Sequence, residues 1–171
     1  MACSPGQRLM RWVLPVLWLG ALPVSAEETQ FGRWQQSLRR CAWMLSGAPT
    51  RRCHAVQLDQ RSAEVMRLTL QADGSGRGEQ MQVVLVGSLV EGSEPMACRD
   101  GLCALRQPLE LQLVSLSEAR FDGRGLAQTL PQTWPVQGVC RISASELHCQ
   151  AADRRNATAA VAPTWRVDGQ R

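Results

Sequence analysis

The chain has no lysine and no tyrosine, and only two phenylalanines and two histidines in 171 residues. With histidine so scarce, a histidine-based metal centre has little to draw on. His54 follows a cysteine, and His148 sits on a polar strand face; neither has an evident partner in sequence. No Gly-x-Ser-x-Gly elbow, His-Glu-x-x-His pair, calcium loop or dinucleotide fingerprint occurs. The carboxylates are scattered, and no spacing singles out an acid–base pair. These absences weigh against an enzyme without excluding one, because catalytic residues can converge from distant segments. All 19 basic residues are arginine. The first explanation is compositional bias of the source. Planar recognition of anions by guanidinium forks is the functional alternative, and no clustering in sequence supports it.

Long apolar runs are also few. The longest, residues 12–22, follows Arg8 and Arg11 and precedes Val24-Ser25-Ala26. A basic start, a short apolar stretch and small residues before Glu27 predict a secretory signal peptide over 1–26, cleaved after Ala26. The run is too short to span a bilayer, for which about 20 residues are needed, and no later stretch qualifies. The mature protein is thus expected in the periplasm or outside the cell, with no membrane span. Removing 26 of the 171 residues leaves 145, enough for one domain with a real core. Removing Arg8 and Arg11 leaves 17 arginines against 15 acids, a net charge of +2, too small to argue for nucleic acid.

Cysteine is the informative presence. Cys3 falls in the signal segment. Six remain: Cys41, Cys53, Cys98, Cys103, Cys140 and Cys149. An even count in an exported chain implies disulfides, and the three close couples suggest local bridges. The last couple carries the clearest geometry. With Ala144-Ser145 as a two-residue turn, Cys140 faces Cys149, Ile142 faces Leu147, Arg141 faces His148 and Ser143 faces Glu146. Alternation then puts the cysteines, Ile142 and Leu147 on one face and the polar residues on the other. A facing pair of this kind lies within disulfide reach. Cys98 and Cys103 enclose an Asp100-Gly101 turn. Cys41 and Cys53 flank Gly47 and Pro49. The competing chemistry is a thiol-redox or metal-dependent enzyme using Cys98 and Cys103, with or without His54. Thiol–disulfide catalysts, however, favour Cys-x-x-Cys at a helix start, and zinc sites favour matched short couples.

Along the chain, Phe31, Trp34, Leu38, Cys41 and Leu45 recur at helical spacing, which predicts an amphipathic helix over about 29–46. Strands follow. Val56 and Leu58 alternate with polar residues, as do Met66, Leu68 and Leu70. Residues 81–86 form a denser run expected to be buried on both faces. The glycine-rich stretch 73–78 leads into strand rather than helix, so it reads as a hairpin loop and not a phosphate cradle. Leu109, Leu111 and Leu113 mark a half-buried strand. Residues 126–130 could form one helical turn. Trp134, between Pro131 and Pro135, is either a lid on the core edge or an exposed contact for a partner. Asn156-Ala157-Thr158 is a glycosylation sequon, meaningful only in a eukaryotic source.

Phe31-Gly32-x-Trp34 with the Cys98/Cys103 couple faintly resembles the bacterial invasion-associated locus B family of periplasmic proteins. The likeness covers only those residues, and no functional residue is carried over from it.

The expectation is therefore a mainly β, disulfide-stapled domain over 27–151. One N-terminal helix would pack on an antiparallel sheet or small sandwich, and a partly disordered tail would span 152–171. The expected function is an exported, non-enzymatic binding or envelope-accessory protein. It would act by surface contacts on an envelope protein, a peptide or a small ligand, with no cofactor or metal and no nucleic acid.

Overall fold

A computed structural model describes residues 31–156 and 163–171; the expected signal segment lies outside the described residues, as does most of the sequon. Among the described residues eleven strands form: β1 (Gly32–Ser37), β2 (Arg40–Leu45), β3 (Arg51–Gln60), β4 (Val65–Asp73), β5 (Gln80–Leu89), β6 (Ala97–Arg99), β7 (Leu102–Ala104), β8 (Leu109–Phe121), β9 (Gln132–Ile142), β10 (Glu146–Asp153) and β11 (Thr164–Gln170). The strands run β2-β11-β10-β9-β8-β5-β4-β3 around a ring that closes where β3 meets β2. The result is an eight-stranded antiparallel barrel rather than an open sheet or sandwich. Chain order and spatial order agree around the ring, so it is of the up-and-down kind, and closure removes the exposed edges of an open sheet.

The expected N-terminal helix is not there. Residues 32–45 are instead one bent strand, β1 and β2. Along β1 inward and outward residues alternate with period two. At the bend Arg39 and Arg40 are both exposed, between buried Leu38 and buried Cys41. Such an extra outward residue is a β-bulge, and it shifts the alternation by one. Trp34, Leu38, Cys41 and Leu45 are therefore spaced four, three and four apart, which imitates a helix stripe. At the bulge the Leu38 N–H donates to the His54 carbonyl on β3 at 2.9 Å. The Arg39 N–H donates to the Gln170 carbonyl on β11, also at 2.9 Å. The bend thus lets one strand bond along β3 first and β11 afterwards.

Residues 164–170, within the tail expected to be partly disordered, form β11. It pairs with β10 from Glu146↔Gln170 to Ala152↔Thr164 and with β2 from Gln170↔Arg40 to Trp165↔Leu45. Its alternation of buried Trp165, Val167 and Gly169 with exposed residues had the period of a strand. The helical turn expected over 126–130 is absent too; Ala127 bridges back to Phe121 and Asp122 Oδ1 accepts the amides of Arg124 and Leu126 at 2.9 Å.

Inward side chains fill the barrel. Leu58, Met66, Leu68, Leu70, Leu85, Leu111, Leu113, Leu116, Ile142 and Trp165 are among those fully buried. An eight-stranded ring is just wide enough for side chains to fill it. On β5, Met81, Val83 and Leu85 point inward, while Val84 and Val86 are half-buried rather than buried on a second face.

Three disulfides link Cys41–Cys53, Cys98–Cys103 and Cys140–Cys149, each between neighbouring strands. The β9–β10 hairpin has the register read from its side-chain pattern, Cys149↔Cys140, His148↔Arg141 and Leu147↔Ile142. The β6–β7 hairpin lies outside the ring. Asp100 and Gly101 have φ of 52° and 78°, as a two-residue hairpin turn of the mirror-image type requires. This hairpin sits on β1 because Gly32 has no side chain; a Cβ there would lie 2.5 Å from the Cys103 sulfur.

Candidate functional site

Of the residues named for the competing redox or metal chemistry, Cys98 and Cys103 come together and His54 lies apart. Cys98 is buried and bonded to Cys103. The β6–β7 hairpin meets β1 at Arg33↔Leu102, and Arg33 pairs with Asp59 on β3. His54 lies five residues back along that strand, roughly 16 Å at the usual rise. His54 instead approaches Asp73, Nδ1 to Oδ1 at 3.9 Å. Among the described residues no group of three or more His, Cys, Asp or Glu side chains could hold a metal. Trp134 is half-buried, with its ring 5.4 Å from the fully buried Trp165 and tilted by 51°. Much of its surface is therefore spent on the core edge.

Polar groups converge elsewhere, at the seam where the first and last strands of the barrel meet. A cleft of about 720 Å³ opens there, lined by Arg39, Arg40, Ala42, Arg52, His148 and Asp168 together with the Cys41–Cys53 disulfide and Leu147. Its layout follows from register. Ala42 pairs with Arg52 on one side and Asp168 on the other, and Asp168 pairs with His148. The outward row thus reads Arg52, Ala42, Asp168, His148 across four strands. Ala42 is the short residue in a row of long ones, and the hollow lies over it. The bulge adds Arg39 beside Arg40, so consecutive arginines face the same solvent.

Two of the side chains lining the cleft, His148 and Arg52, have acid partners. His148 Nδ1 hydrogen-bonds Asp168 Oδ1, with both side chains about half exposed. Arg52 Nε lies 3.8 Å from Asp73 Oδ2 at an open surface. Pairs this exposed contribute little stability. Among the described residues neither Arg39 nor Arg40 has an ion-pair partner. The His148–Asp168 pair has the form of an oriented base, but no serine, threonine or free cysteine lines the cleft to act as nucleophile.

Outside the cleft, Asp59 and Glu118 are among the carboxylates with shifted pKa values. Asp59 is buried, which works to raise its pKa. Hydrogen bonds from Arg33 Nε at 2.8 Å and Gln57 Nε2 at 2.9 Å, with the charges of Arg33 and Arg61, outweigh this and hold it below the usual carboxylate range. Glu118, at the opposite end of the barrel, is pushed up by burial, moderated by Arg120, by nearby Trp165 and by Arg51. Glu118 Oε1 and Trp165 Nε1 are both buried without a formed hydrogen bond.

The cleft was not found from sequence, although a signal existed. Arg39-Arg40-Cys41 and Arg51-Arg52-Cys53 are the same triplet twice, and the disulfide brings the two copies together. Compared with protein-family models, curated proteins and solved structures, the chain matches none.

Proposed function

We propose that this is an exported binding or envelope-accessory protein, non-enzymatic, that acts through its outer surface, with the seam cleft as its contact site. The observation that carries the reading is the division of the molecule. The barrel interior is filled with apolar side chains, while one cleft on the outside gathers three arginines, two of them without an ion-pair partner among the described residues, around the short side chain of Ala42. Sites of this size with a few convergent polar groups are usual for ligands. The three disulfides fit an oxidising compartment outside the cytosol, which supports export through the segment 1–26. A thiol-redox enzyme at Cys98 and Cys103 is the competing reading.

The test has two arms. The full chain is expressed in a bacterium with a periplasm, and the recovered product is weighed; a chain beginning at Glu27 is expected. The same product is assayed for reduction of insulin disulfides by glutathione. No turnover above the uncatalysed rate is expected. Turnover that disappears in Cys98→Ala would overturn the reading in favour of the redox enzyme.

A further inference from the structure

Resting on that reading of the cleft, we propose that its ligand carries an oxyanion (carboxylate, phosphate or sulfate) on a small apolar body. Arg52 stands opposite Ala42, and Arg40 lies two residues along β2 on the same face. The two arginines are thus diagonal neighbours on adjacent strands, with backbones roughly 7–8 Å apart. Side chains of that length converge easily on one group above Ala42. The bulge sets Arg39 beside them. Guanidinium forks match the geometry of carboxylate and phosphate oxygens with paired hydrogen bonds.

Three arginines, Arg39, Arg40 and Arg52, line the cleft against two acids, Asp168 and Glu146, so its lining stays net positive. One oxygen of Asp168 is engaged by His148. Glu146 pairs with Gln170, which in turn pairs with Arg40, so two strand spacings, roughly 9–10 Å, separate its backbone from that of Arg40. Asp73 reaches Arg52 only loosely, between side chains 59% and 89% exposed. The floor has a different character. Ala42, half-buried, with only the thin exposed edges of Leu147 and the Cys41–Cys53 disulfide beside it, offers apolar surface to the part of a ligand behind its charged group. A bare inorganic anion would leave that floor unused, and a neutral apolar molecule would leave the arginines unused.

The experiment titrates the exported, ¹⁵N-labelled protein with phenyl phosphate, benzoate, inorganic phosphate and phenol, reading amide shifts. Saturable shifts at residues 40–42, 52 and 168–170 are expected for phenyl phosphate or benzoate, and the tighter of the two identifies the charged group. Inorganic phosphate and phenol are each expected to bind at least tenfold more weakly. The double variant Arg40→Gln/Arg52→Gln is expected to lose at least tenfold in affinity. Both positions are exposed, so its thermal midpoint should stay that of the parent, and Arg61→Gln, away from the cleft, should bind like the parent. The ligand class is overturned if phenol binds as tightly as phenyl phosphate, or if the double variant binds unchanged while shifts still map to the cleft. If neither charged probe saturates by about 10 mM, an affinity too weak to matter, or if the shifts map elsewhere, the site falls along with the ligand class.

Discussion

The Cys41–Cys53 bridge should matter more than its size suggests, because it braces the thinnest join in the barrel. β2 and β3 pair at only two positions, Ala42↔Arg52 and Trp43↔Arg51, and the disulfide lies immediately beside them. Replacing both cysteines by alanine releases a loop with a sequence separation of 12. Chain entropy puts the loss at about 2.8 kcal/mol, equivalent to roughly 6–11 °C in Tm for a domain of this size. The same double replacement at Cys98 and Cys103, with a separation of 5, should cost about 2.1 kcal/mol. The two differ more in kind than in amount. Cys98 and Cys103 lie on a hairpin outside the ring, whereas Cys41 and Cys53 hold the ring closed. Hydrogen exchange in the native state separates them. Cys41→Ala/Cys53→Ala should speed exchange of amides in β2 and β11, and Cys98→Ala/Cys103→Ala should confine its effect to 97–104. If β11 keeps its full protection when Cys41 and Cys53 are gone, or if the peripheral pair proves the costlier to lose, the β2–β3 join is not the weak one and the reasoning fails.

Three other outcomes follow from particular groups. Glu118 has its pKa raised by burial, so the folded state holds that proton more tightly than the unfolded chain; its contribution is full below the ordinary carboxylate pKa and is lost as pH climbs through the raised value. Glu118→Gln should flatten this decline in a series of thermal melts between pH 4 and pH 8 and be the more stable protein at the upper end; a variant that parallels the parent across the series contradicts it. Asp59 works in the opposite sense. Its lowered pKa gives stability that is present above the ordinary value and is lost as pH falls through the lowered one. Asp59→Ala leaves Arg33 and Gln57 without their acceptor and should cost about 1–3 kcal/mol in urea unfolding at pH 7, shrinking in acid; a neutral effect at pH 7 would show the cluster to be ornamental. At Gly138 a Cβ would lie 2.1 Å from the Gln150 carbonyl oxygen and 2.6 Å from the Ala151 Cα. Gly138→Ala forces β9 and β10 apart and should destabilise by about 1–3 kcal/mol or more; unchanged denaturant midpoints would mean that the strands are not so close.

Legibility in the sequence followed how local each constraint was. The β9–β10 hairpin could be read residue by residue, because facing cysteines and a clean polar–apolar alternation admit one register. The Asp100-Gly101 turn was equally plain, since few residue pairs tolerate positive φ. β1 and β2 were misread because a bulge at Arg39-Arg40 converts two period-two segments into a 4-3-4 spacing. Periodicity by itself could not distinguish that from a helix. β11 was missed for a different reason. Its alternation is short, it follows an alanine-rich stretch, and only pairing with β2, more than 100 residues earlier in the chain, gives its apolar residues a place to be buried. Barrel closure hangs on that long-range pairing, so the choice between sheet, sandwich and barrel was not visible locally. The cleft is a product of the same closure. Arg39, Arg40, Arg52, His148 and Asp168 come from four strands; the repeated Arg-Arg-Cys triplet ties the first three together, but no spacing along the chain connects them to His148 and Asp168.

One measurement tests the central claim that sulfur here is structural bracing, which leaves the outer surface to act. The exported protein is incubated under native conditions in mild glutathione buffer and alkylated. It is then digested without reduction and its linked peptides are weighed. No modified cysteine should appear, with Cys41 joined to Cys53, Cys98 to Cys103 and Cys140 to Cys149. Alkylation at Cys98 and Cys103, or peptides joined across these couples, would contradict the account.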